Sequence, residues 1–262
     1  MLTLLFFLLA FLLTVAIRPY FVRMIAASGF VKPNYRQEEI PLSAGIMFPF
    51  IIFLLYVVVA VAASLGLSVP FPDNRLLIGV LLMGFAGMLD DFLGSREASG
   101  LKGHFSRLLR RGELTTGALK ALTGGVLAAY VLLPAGGITI TPAFVLLYLA
   151  RILLVALATN FLNLLDLRPG RAAKGFILLS LLFLPFVWDK AEEKFLFACL
   201  GMVLAYLPGD LKARYMMGDA GSNVLGFVAG LLAVRVLPVA GEMALLVFLI
   251  FIHLFTEKYS LT

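Results

Sequence analysis

Long apolar runs broken by short polar connections set the plan of this chain. Nine such segments can be traced, at about 2–18, 44–66, 75–92, 116–133, 140–158, 174–188, 195–209, 220–237 and 243–257. A bilayer core asks for about 20 apolar residues per helix. Within it, backbone polar groups must be satisfied locally, which favours helices. The pattern therefore predicts an all-α, polytopic membrane helix bundle, a single domain over residues 1–262. The sixth and seventh segments are short, and are expected to be re-entrant or strongly tilted. Pro and Gly mark the connections: Pro70 and Pro72, Pro134 with Gly136 and Gly137, Pro169 with Gly170, and Pro238 with Gly241. The first segment, MLTLLFFLLAFLLTVAI, lacks a basic n-region and an A-x-A-like cleavage site. It is expected to be a retained helix, not a signal peptide.

Composition agrees with the segment pattern. The chain is 62% hydrophobic and 14% charged, against roughly 45–50% and about 25% in soluble domains. That excludes an ordinary soluble domain. The single cysteine, Cys199, lies in an apolar run, so no disulfide framework forms. The net charge of +6 does not point to nucleic acid, because the basic residues sit in short loops between apolar runs. Only Arg75, Lys190, Lys194 and Arg235 fall in one set of loops, and Arg151 lies inside a segment. The other sixteen Lys and Arg residues fall in the opposite set. The positive-inside rule makes that richer set cytoplasmic, with the N-terminus outside.

The polar clusters follow the same sorting, and all fall on the cytoplasmic side. A transporter should instead place polar groups near mid-membrane on broken, paired helices. The first cluster is the pair Asp90–Asp91 at the mouth of the third segment. Helical neighbours point about 100° apart, so the two carboxylates can hold separate roles. The alternative is a solvated topological stop. The second is NFLNLLD, in which Asn160, Asn163 and Asp166 line one helix face at i, i+3, i+6. Their amides suit a base, a sugar or a metal-bound water, or serve as interhelical glue. The third is MGDAGSNVLG. Gly218, Gly221, Ser222 and Asn223 open an apolar helix as an anion site or a plain cap, while Asp219 points toward a cation. The fourth is basic: Lys102, His104, Arg107, Arg110 and Arg111, then Lys120, which opens the next helix and can reach a phosphate. His104 reads as a loop residue and His253 as packing. Zinc-type Cys/His spacing, a G-x-S-x-G elbow and a Walker A motif are all absent from the sequence. Acids, amides, a Gly-rich turn and a lysine at one interface fit phosphoryl transfer. That chemistry needs positioning and charge neutralisation more than covalent help.

The ordered motifs GMLDDFLGSREASGLKGH, TTGALK, NFLNLLD and MGDAGSNVLG, after NYRQEEIPLSAGI, resemble the polyprenyl-phosphate N-acetylhexosamine-1-phosphate transferases over roughly residues 30–230. That family includes phospho-N-acetylmuramoyl-pentapeptide transferase. The resemblance implies transfer of a sugar 1-phosphate from a UDP-sugar to undecaprenyl phosphate, with release of UMP. Mg²⁺ is the implied cofactor and Mn²⁺ its alternative, at a bacterial cytoplasmic membrane. By resemblance, Asp90 orients or deprotonates the lipid phosphate. Asp91 and Asp219 are the metal residues, Asn160, Asn163 and Asp166 line the nucleotide site, and Lys120 contacts phosphate. The family's second acid in D-G-x-D-G is here Pro169. The His-rich final loop of the pentapeptide branch is absent, which favours a UDP-GlcNAc-type donor. More loop and a tenth helix are expected beyond HLFTEKYSLT. A homodimer through lipid-facing helices is compatible with this surface. The two other readings are an inactive, lipid-phosphate-binding relative and a flippase.

Overall fold

The computed structural model describes residues 1–94, 115–134, 136–137 and 139–258. The basic residues Lys102, His104, Arg107, Arg110 and Arg111 lie outside them. Among the described residues the chain forms nine α-helices: α1 Leu2–Ala27, α2 Met47–Ser64, α3 Asn74–Leu93, α4 Thr116–Leu132, α5 Pro142–Leu165, α6 Arg171–Val187, α7 Ala191–Leu211, α8 Gly218–Val236 and α9 Val239–Lys258. Seven are long and apolar enough to cross a membrane, α2 together with the 3₁₀ turn Ala44–Ile46 that leads into it. The protein is a polytopic membrane helix bundle.

Local chemistry sets several helix starts. Asp73 caps α3 by accepting the Arg75 N–H at 2.9 Å. Thr115 caps α4 through the Ala118 N–H, and Thr141 caps α5 through the Phe144 N–H, with Pro142 at the first helical position. Side-chain oxygens at these positions satisfy helix donors that have no partner within the helix, and Pro has no N–H to leave unpaired.

The seventh segment departs from expectation. Helix α7 has 21 residues and is long enough to cross. Its apolar run understates its length because acids occupy both ends and find partners inside the protein. Glu192 meets Arg235 at 3.3 Å, and Glu193 accepts from Thr3 at 2.6 Å. At the other end Asp210 accepts the Gly170 N–H at 2.9 Å. Helix α6 stays short, at 17 residues with Pro185 in its last turn.

Helix α8 is the buried axis of the bundle and packs on α5, α3 and α6. Small residues permit this. A Cβ on Gly226 would lie 2.5 Å from the Thr159 Cα, so α5 and α8 meet backbone to backbone. Helix association in lipid depends on such close packing, since lipid tails are as apolar as the side chains. Inside the bundle Arg151 grips Glu242, 1% exposed, with bonds of 2.7 and 2.8 Å. Cys199 is packed as a small hydrophobe, 1% exposed, and the His253 Nδ1 contacts the Leu249 carbonyl oxygen at 2.7 Å.

One element was not expected. Strands β1 Val31–Pro33 and β2 Glu39–Pro41 form an antiparallel hairpin, with Lys32 opposite Ile40. Its turn is closed by the Asn34 Oδ1, which accepts from the Arg36 and Glu38 N–H groups. Three residues per strand is too short for period-two alternation to register against a membrane-protein background.

Candidate active site

The hairpin leads straight into the site. After it, the Met216 N–H donates to the Pro41 carbonyl at 2.8 Å, and the Ala44 and Gly45 N–H groups donate to Met216 and Met217, each at 2.9 Å. Residues 41–45 thus run as a backbone brace along the approach to α8. Phe30 stacks on Phe92 with ring centroids 4.0 Å apart, tying the same segment to the end of α3.

Against this brace, four helices bring their ends together. Asp90 and Asp91 come from the last turn of α3, and Lys120 from the second turn of α4. Asn163 and Asp166 come from the end of α5, and Asp219 from the first turn of α8. The Lys120 ammonium donates to the Asp90 Oδ2 at 2.7 Å and to the Asp219 Oδ2. The Asn163 amide donates to the Asp219 Oδ1 at 2.8 Å and to the Ser222 Oγ at 3.2 Å. Asp219 is therefore held on both oxygens by side chains from two other helices.

The start of α8 binds anions, as unpaired N–H groups at a helix N-terminus should. The anions are the chain's own carboxylates. The Asp166 Oδ2 accepts the Gly218 N–H at 3.0 Å. Asp91 spans the next two, its Oδ1 accepting from Asp219 at 3.0 Å and its Oδ2 from Ala220 at 3.2 Å. Gly218 is required here twice over. Its φ is +71°, and a Cβ would lie 2.6 Å from the Asp91 Oδ2 and 2.8 Å from the Ser43 Cα. The rest of the Gly-rich turn is interior. Gly221 abuts Gly45, where a Cβ on Gly45 would lie 2.4 Å from the Gly221 Cα. Ser222 is fully buried and donates to the Gly218 carbonyl. Asn223 is buried with its amide nitrogen unpaired among the described residues. Asn160 sits one turn before Asn163 and is partly exposed.

Beside this cluster lies a cavity of about 280 Å³ lined by residues including Asn34, Tyr35, Asp166, Arg168, Pro169, Asp210, Tyr215 and Met216. Three connections build it: the hairpin turn, the loop after α5 and the loop before α8. Asp166 faces both the cavity and the α8 N-terminus.

Residues 75–237 match glycosyl transferase family 4. The chain belongs to that family. The match runs from α3 through α8 and takes in every site residue from Asp90 to Asn223. The hairpin and the 41–45 brace fall outside it. The phospho-N-acetylmuramoyl-pentapeptide-transferase of Thermotoga maritima is similar to this chain, 28% identical over 174 residues. The aligned part is 62% of this chain and 53% of that protein, so the chain spans about half the length of this relative.

Two parts of this family 4 site escaped sequence reading. One is the brace. The other is Asp210, only 3% exposed, which lines the cavity and holds the loop after α5 through Gly170. The signal for it was present: an acid closing an apolar segment in LPGD.

Asp166 lies outside the membrane-spanning helices. Burial raises its pKa well above the ordinary carboxylate value, and the negative charges of Asp210, Asp219 and Asp91 add to the shift, against one stabilising bond from Gly218. An acid raised in this way is tolerated best when neutral. Its cost to the fold is absent below the unfolded value near 3.9 and grows as pH climbs toward the raised folded value. Asp166→Asn keeps an acceptor for Gly218 and removes the charge. Its melting temperature in detergent should match wild type near pH 4 and exceed it increasingly toward pH 8. A constant gap across that range would show that Asp166 is not the group responsible.

Proposed function

We propose that the chain transfers a sugar 1-phosphate, of the N-acetylhexosamine type, from a UDP-sugar to polyprenyl (undecaprenyl) phosphate, releasing UMP at the inner face of a bacterial cytoplasmic membrane. The observation that carries this reading is the convergence of Asp90, Lys120, Asn163 and Asp219, from four helices, beside the cavity at Asp166.

In this reaction an oxygen of the lipid phosphate bonds to the β-phosphorus of the donor. The bond from that phosphorus to the bridging oxygen breaks, and its electron pair leaves on UMP. A phosphate monoester already carries negative oxygens at pH 7, so Asp90 serves to orient the lipid phosphate and need not deprotonate it. Lys120 offers a cation to the phosphates. Asn163 aims Asp219, and Asp91 acts through the backbone by fixing the first turn of α8. The cavity beside Asp166 takes the nucleotide end of the donor. Leu167 and Pro169, which stand where the family's pattern has a glycine and a second acid, and Arg168 between them set its preference.

A divalent ion fits the donor set. Asp90 and Asp219 offer two carboxylates, which would suit Mg²⁺ or Mn²⁺ with phosphate oxygens and water completing the shell. Asp90 and Asp219 already hold one cation between them, the Lys120 ammonium. Asp219 would be the principal ligand with Asp90 beside it, whereas both oxygens of Asp91 are engaged by backbone N–H groups. Such an ion, when bound, neutralises charge on the transferring phosphates.

Purified protein mixed with undecaprenyl phosphate, Mg²⁺ and a panel of UDP-sugars should release UMP from at least one N-acetylhexosamine donor. Binding of the lipid phosphate with no UMP from any donor would end this reading and leave a lipid-phosphate-binding relative.

A further inference from the structure

Lys120 occupies the seat in which a divalent ion would bind. Its ammonium touches the Asp90 Oδ2 at 2.7 Å and the Asp219 Oδ2 as well. The Lys120, Asp90 and Asp219 side chains are only 17%, 18% and 26% exposed. The other Asp219 oxygen is engaged by Asn163, which fixes the carboxylate so that its free edge faces the ammonium. Two acids from different helices are thus turned to one point by a cation supplied from a third.

We propose that Lys120 is an exchangeable placeholder. Its ammonium holds Asp90 and Asp219 together in the unloaded site and swings toward phosphate when a divalent cation enters. The proposal rests on the transferase reading for the identity of that cation and phosphate. Charge makes the exchange necessary. Asp90, Asp219 and Lys120 together carry one net negative charge. A divalent ion in place of the ammonium brings the carboxylate pair to neutrality and frees one positive charge for a phosphate ester. A divalent ion added beside the resident ammonium would set two cations a few ångströms apart in a poorly hydrated site, where repulsion is strong. The lysine stem is flexible and its head is a compact point charge, so the exchange needs a change of rotamer and no movement of helices. Metal and ammonium then compete for one place, and phosphate favours the metal by drawing the ammonium away. Coupling of this kind is reciprocal.

The test is Mn²⁺ binding to the purified full chain in detergent, followed by the electron paramagnetic resonance signal of free Mn²⁺, with and without inorganic phosphate. Wild type should bind weakly alone and about ten-fold more tightly with phosphate. Lys120→Met should bind about ten-fold more tightly than wild type without phosphate, and gain nothing from it. Mn²⁺ should also raise the melting temperature of Lys120→Met more than that of wild type, as a ligand that binds only the folded state must. Lys120→Gln, which keeps a hydrogen-bond donor for the two carboxylates, should show the same gain and replaces Lys120→Met if that variant does not fold. Equal Mn²⁺ affinity in wild type and variant, a phosphate response that survives the substitution, or no Mn²⁺ binding in either protein would overturn the exchange. UMP release by wild type, measured alongside, separates the two failures. Turnover with equal affinities removes the placeholder and leaves the transferase, whereas tighter Mn²⁺ binding by the variant without turnover removes the transferase and leaves the placeholder.

Discussion

Asp219→Asn is expected to lower UMP release by roughly 10³-fold, the scale on which loss of one preorganised electrostatic group is felt. The melting temperature should stay within a few degrees of wild type. Asp219 is the residue on which the site turns. Its Oδ1 accepts from Asn163, its Oδ2 meets Lys120, and its backbone N–H donates to Asp91. The amide keeps the shape and one acceptor, and leaves the backbone bond untouched. It removes the charge that pairs with Lys120 and that would ligate a divalent ion. A purely structural role predicts that activity and stability fall together. A role in transfer predicts that activity falls almost alone. Turnover within ten-fold of wild type would show that Asp219 is not central to the chemistry.

The second large effect comes from a residue with no functional group. A Cβ on Gly87 would lie 2.4 Å from the Asp219 carbonyl oxygen, 2.6 Å from the Asp219 carbonyl carbon and 2.7 Å from the Ala220 nitrogen. All three are backbone atoms of the first turn of α8, so no side chain can rotate away. Gly87→Ala must push α3 off α8. It should cost at the upper end of the roughly 1–3 kcal/mol typical of overpacking. The separation also stretches the bonds from Asp91 to the Asp219 and Ala220 N–H groups, now 3.0 and 3.2 Å. Protein that still folds should therefore turn over at least about ten-fold more slowly, since a displacement of about 1 Å is enough to disturb transfer geometry. Gly125 supplies the control. It also lies within a helix, yet a Cβ there would meet nothing within 4 Å. Gly125→Ala should be neutral or slightly stabilising, because alanine is the better helix former. Equal thermal melts for the two variants would mean that the α3–α8 contact tolerates expansion.

The two predictions separate what side-chain chemistry supplies from what close packing supplies. Asp90, Asp91, Asp166 and Asp219 lie on or at the ends of three helices, and the most distant of them are 129 residues apart in sequence. They meet because α3, α5 and α8 pack backbone to backbone at glycine. The lipid gives helices no hydrophobic reason to associate, so small residues and polar links decide which faces touch. Gly87 and Gly226 fix the approach, while Asn163, Lys120 and Asp91 fix the angle at the end.

The sequence alone determined the helical membrane architecture and most of the residues gathered at the polar end, although α1 and α5 run nine and seven residues past the ends that the apolar pattern set. Each of these follows from local rules: lipid requires long apolar helices, and charge in that setting gathers at their ends unless it is paired, as Arg151 is with Glu242. Only the tertiary structure decided what the gathered residues do to one another. Asp91 and Asp166 read in sequence as open acids, yet they cap α8, because a helix N-terminus brought against them has unpaired donors. Lys120 lies between Asp90 and Asp219, thirty residues from one and ninety-nine from the other. The hairpin, the 41–45 brace and the part played by Asp210 depend on contacts between chain segments far apart in sequence. No period or motif along a single segment encodes such a contact.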